Sequence, residues 1–78
     1  MLDAKRIGST IAQYRERKNM SQELLSGLAG IGRTHLSAIE RGQRKPTLET
    51  FARIAEAMDI APSALLASVE AAHENKEN

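Results

Sequence analysis

Arg33, Thr34, Ser37, Ala38 and Arg41 are the residues of this 78-residue chain whose types and spacing could do chemistry together. On a helical wheel of about 100° per residue they share an arc of about 140°, and Leu36 and Ile39 face the other way. The chemistry such an arc supports is recognition. Hydroxyls donate or accept, and the arginine guanidinium offers a planar fork of donors that meets a phosphate or a base edge at two points. The segment 33–45 sets Arg33, Arg41, Arg44 and Lys45 against Glu40 alone, a local charge of +3 in a chain whose total is +1. Clustered positive charge raises phosphate affinity even when total charge is small. The competing reading is an ordinary solvated face on a surface helix.

Bond-making chemistry has less to stand on. His35 and His73 are 38 residues apart, and neither adjoins a metal-ligand pattern. There is no cysteine to serve as a nucleophile, a thiolate ligand or a disulfide partner. An enzyme is therefore the weakest reading, with no catalytic residue, metal site or cofactor expected.

Two further charges sit where charges are costly. Arg15 follows Ile7 by eight residues and Ile11 by four, which puts it on the apolar stripe of its helix. Glu40 follows Leu36 by four, at the border between the apolar and polar faces. A charge on an apolar stripe is expensive unless paired. The economical inference is that Arg15 and Glu40 pair with each other. The alternative is that both stems lie on the surface and carry their charges out to water.

The elements that must position these residues are helices, because the chain is rich in Ala, Leu, Ile, Glu and Arg and lacks period-2 alternation. Asp3 is placed to cap a first helix of about residues 4–18, carrying Ile7, Ile11 and Tyr14 and ending near Asn19. Ser21 caps a second helix, Gln22 to Ala29, with Glu23 suited to the helix dipole. Gly30-Ile31-Gly32 reads as a tight turn with an apolar anchor. A third helix follows from Arg33 to Arg41, closed by Gly42. Thr47 caps a fourth helix to Met58, with Leu48, Phe51, Ala52, Ala55 and Met58 expected on one face. Pro62 suits the first turn of a fifth helix bearing Leu65, Leu66 and Val69.

Size and composition bound the rest. Seventy-eight residues make one domain, and a chain this short buries only about 60% of its unfolded surface. Residues 1–69 hold ten Lys/Arg against seven Asp/Glu, and form the expected domain. Residues 70–78 set three glutamates against Lys76 and read as a polar, frayed tail. No apolar run approaches the roughly 18 residues needed to cross a membrane, and Met1–Lys5 lacks a signal-peptide pattern. A cytoplasmic protein is expected.

Two short helices joined by a glycine-containing turn match the physical description of a helix-turn-helix. The run Ile7-Gly8, Ile11, Arg15, Arg17, Met20-Ser21-Gln22-Glu23, Leu25, Gly30-Ile31, Arg33, Leu36-Ser37, Ile39-Glu40-Arg41-Gly42, Pro46-Thr47-Leu48-Glu49-Thr50, Ile54-Ala55 and Leu65-Leu66 resembles the Cro/phage-repressor-like family, often called XRE-type. The resemblance covers residues 7–66. It implies an all-α, compact five-helix repressor-like DNA-binding domain with its helix-turn-helix at helices two and three. It further implies that Arg33, Thr34, Ser37 and Ala38 face base edges. Gln22 would donate to a phosphate, and Arg41, Gln43, Arg44 and Lys45 would meet the backbone of double-stranded DNA. Arg15 and Glu40 match the family's interhelical ion pair.

Departures from the family pattern are local. Ser26 stands for a usual alanine, Gly27 and Leu28 for polar residues, and Gly32 for a hydroxyl cap. Gly27 weakens its helix by about 1 kcal/mol, and Gly32 costs a few tenths.

The expectation is a sequence-specific transcriptional regulator, a repressor that reads a palindromic operator through the major groove as a homodimer. Ile60, Leu65, Leu66 and Val69 are candidates for the dimer face and equally for core. The other reading is a helical protein-interaction module, such as an antitoxin or accessory adaptor, gripping a protein partner through Leu28, the last helix and the acidic tail.

Overall fold

The computed structural model describes residues 2–76, with side chains described through Ala72. Five helices follow in order, α1 (Ala4–Arg17), α2 (Gln22–Ala29), α3 (Arg33–Glu40), α4 (Leu48–Ala57) and α5 (Pro62–Lys76), with no strand among the described residues. The boundaries follow local chemistry. The Asp3 carboxylate accepts from Arg6 N at 2.8 Å, Ser21 Oγ from Leu24 N at 3.0 Å, and Thr47 Oγ1 from Thr50 N at 3.1 Å. Each satisfies an amide that the helix itself cannot, a contribution of about 1 kcal/mol apiece. Gly32 occupies the cap position of α3 and offers no side-chain bond.

The core is drawn from all five helices. Ile11, Leu25, Leu36, Ile39, Ile54 and Leu65 are completely buried. α1 packs on α3 and α5, α2 on α3 and α4, and α4 on α5. A hydroxyl contact at 2.6 Å between Tyr14 and Ser68 ties α1 to α5. Ile31, between the two turn glycines, packs against the core and anchors the turn.

Two expectations need correction. Leu48 does not join the buried face of α4. It is 82% exposed, while Ile54 is fully buried. On the wheel these two residues flank Phe51, Ala55 and Met58 from opposite sides, about 120° apart. α4 packs on α2 and α5, and that packing covers the Ile54 border and leaves the Leu48 border open. The second concerns α5, which runs to Lys76 and so passes through the boundary expected after Val69. Residues 77 and 78, and the side chains of 73–78, lie outside the described residues, and the expected tail with His73 falls largely there.

Candidate nucleic-acid interface

α3 is held from behind by a buried polar network. Arg15 Nε donates to Glu40 Oε2 at 2.8 Å and Nη2 to Oε1 at 3.1 Å, the two-point geometry that a guanidinium makes with a carboxylate. Arg15 Nη1 donates to the Met20 carbonyl at 2.7 Å. The side chains are only 13% and 6% exposed, so neither charge reaches out to water. The hydrogen bond to Glu40 pushes the Arg15 guanidinium above its ordinary pKa, with burial opposing it and the nearby carboxylates of Glu40 and Glu16 adding to it.

Gly8 completes this junction by sterics. A Cβ at this position would collide with the carbonyl oxygen of Ile39 and lie 2.8 Å from that of Glu40. α1 and α3 therefore touch backbone to backbone, and only glycine permits it. The resemblance includes Gly8, but nothing in its spacing announces what it faces.

The outer side of α3 is open. Arg33 and Thr34 are exposed, Ser37 and Ala38 half-buried, and all four share the face opposite Leu36 and Ile39. Beyond the helix, Arg41, Gln43, Arg44 and Lys45 are exposed in the loop leading to α4. Arg41 donates to Ser37 Oγ and, at 3.0 Å, to Gln43 Oε1, which links the helix to that loop. Arg33, Arg44 and Lys45 take part in no ion pair among the described residues. Four cations thus lie within or beside the arc, and Glu40, the one carboxylate on α3, is turned inward.

Gln22 sits differently from the rest. Its Nε2 donates to Glu40 Oε1 at 2.9 Å, so one amide proton is committed to the buried pair. The amide carries a second proton, which leaves Gln22 one donor for an outside acceptor. Its position at the first residue of α2 puts it beside the orphan amides at a helix N-terminus. His35 is half-buried, and no group of three or more metal-ligating side chains stands together among the described residues. No helix among them is long and apolar enough to cross a membrane.

Several known proteins are similar in sequence or in shape. The family model described as Helix-turn-helix matches residues 11–65. An uncharacterized HTH-type transcriptional regulator of Sinorhizobium fredii is 36% identical over 56 residues, 72% of this chain and 73% of that one. The restriction-modification controller protein C.AhdI from Aeromonas hydrophila is 35% identical with a TM-score of 0.77, over 80% of this chain and 94% of its own. The controller C.Esp1396I, solved as a tetramer in complex with its natural 35 base-pair operator, shares the fold at a TM-score of 0.79 and 24% identity, over 85% and 87% of the two chains.

Proposed function

The chain belongs to the helix-turn-helix family and is a DNA-binding transcriptional regulator, and from that premise we propose that it acts as a homodimeric repressor of a palindromic operator. The observation that carries the reading is the asymmetry of α3, whose charged and hydroxyl side chains face solvent while its one carboxylate is buried in a pair with Arg15. Arg33 supplies a bidentate contact to guanine O6 and N7, and Thr34 and Ser37 add hydroxyls to neighbouring base edges. Ala38 offers a methyl to the thymine methyl group. Arg41, Gln43, Arg44 and Lys45 meet phosphates at one end of the reading helix, and Gln22 meets one at the start of α2.

One protomer presents too few base contacts to select an operator, so two copies read half-sites about 34 Å apart. Leu65 and Val69 are spent on the chain's own core and cannot face a partner. Ile60 and Leu66 are half-buried, and Leu66 borders a shallow apolar groove of about 310 Å³ beside the exposed Leu48. These three are larger apolar residues around the start of α5 that are left partly open to a second copy. The operator-bound tetramer of C.Esp1396I supports the reading by shape.

Selection of the purified chain on a randomised duplex pool, repeated across a salt series, tests it. A palindromic motif is expected to emerge, with affinity falling steeply as salt rises. Binding without an enriched motif would overturn the operator reading and favour a protein partner as the route to specificity.

A further inference from the structure

Lys5 and the loop after α3 are far apart in the chain, yet the fold seats one on the other. Gly42 adopts φ +78°, the left-handed conformation, and a Cβ built there would lie 2.9 Å from Lys5 Cα and 2.7 Å from Lys5 Cγ. The first turn of α1 therefore rests directly on the loop, with glycine allowing the approach. Lys5 is exposed and takes part in no ion pair among the described residues. Arg6, next to it, pairs with Asp3 at 3.1 Å. Lys5 thus sets the stem of an uncommitted cation against the loop that carries Arg41, Arg44 and Lys45.

We propose that Lys5 is a phosphate-binding residue that extends the DNA contact of the α3–α4 loop onto α1. The proposal rests on the DNA-binding reading of that loop and adds a contact from a distant part of the chain. A DNA strand is a continuous row of phosphates, so a cation seated against one backbone contact is placed to neutralise a neighbouring phosphate. Lysine suits the task as a point charge on a flexible stem, with no demand for two-point geometry. Such a contact carries no sequence information and fixes where α1 and α3 together sit on the duplex.

The test uses the intact chain and two duplexes of equal length, one bearing the selected motif and one of unrelated sequence. Affinity is measured across a sodium chloride series for the parent, Lys5→Ala, Lys5→Arg and Lys45→Ala, with a thermal melt of each. Lys5→Ala is expected to melt like the parent, to weaken both duplexes by a similar factor, and to flatten the plot of log affinity against log salt by about 0.9 per bound protomer. Lys5→Arg should keep the parent slope. A parental slope in Lys5→Ala alongside a flattened one in Lys45→Ala would overturn the proposal and leave the loop reading intact. Parental slopes in both would overturn the two together.

Discussion

On the side of α3 that faces α1, polar groups are enclosed and paired; on the opposite side most are left to solvent. Glu40 accepts three hydrogen bonds, two from Arg15 and one from Gln22. Arg33, Thr34, Arg44 and Lys45 are exposed and make no side-chain hydrogen bond to the described residues. The enclosed side fixes orientation, because a buried ion pair tolerates little displacement before its charges go unmatched. The open side leaves its donors hydrated and, in the proposed reading, available to DNA. A recognition surface requires both, since donors aimed by a loosely held helix lose the geometry on which discrimination depends.

The largest break in this comparison comes from the enclosed side. Glu40→Ala leaves the Arg15 guanidinium buried with no carboxylate, which should cost about 3–5 kcal/mol of folding stability in urea denaturation. The double replacement Arg15→Met with Glu40→Leu should recover most of that loss, because it removes both charges and keeps apolar volume. A cost for Glu40→Ala below about 1 kcal/mol would place the pair among solvated surface bridges.

Gly8→Ala attacks the same junction through sterics. The added methyl meets backbone atoms of Ile39 and Glu40, which cannot rotate away as a side chain could. The cost should reach about 3 kcal/mol, the upper part of the usual range for overpacking. Because α3 itself must move, affinity for the selected site should fall with it. An unchanged melting temperature would mean that α1 and α3 can separate freely.

Arg33→Ala breaks only the open side. Stability should hold, while binding to the selected site weakens by about 1–3 kcal/mol and binding to unrelated duplex changes far less. Equal losses on the two duplexes would move Arg33 from base reading to phosphate contact.

How much of this was legible in the sequence depends on the range of the signal. Asp3, Ser21 and Thr47 announce helix starts because a cap bonds an amide only three residues away. The partnership of Arg15 with Glu40 spans 25 residues, yet it was inferable because each charge interrupts an apolar stripe and the cost of burial demands a partner. Leu48 and Ile54 show the limit of periodicity. Both border the same stripe, and only the neighbouring helices decide which border is covered. The Gln22–Glu40 bond and the seat of Lys5 on Gly42 were illegible, since both depend on how distant elements meet and no local pattern encodes it.

The smallest expected effect sharpens the contrast by standing outside both sides. Gly27 lies on the exposed face of α2 with Leu24 and Leu28, and a Cβ there meets nothing within 4 Å. Gly27→Ala should therefore stabilise the fold by up to about 1 kcal/mol, through reduced freedom of the unfolded chain and better helix propensity. Neither the buried pair nor the reading arc is touched, so the selected-site affinity and its salt slope should match the parent. A rise in stability accompanied by weaker DNA binding would show that the outer face of α2 is covered in the DNA-bound form. The division of labour around α3 would then have to include a third surface.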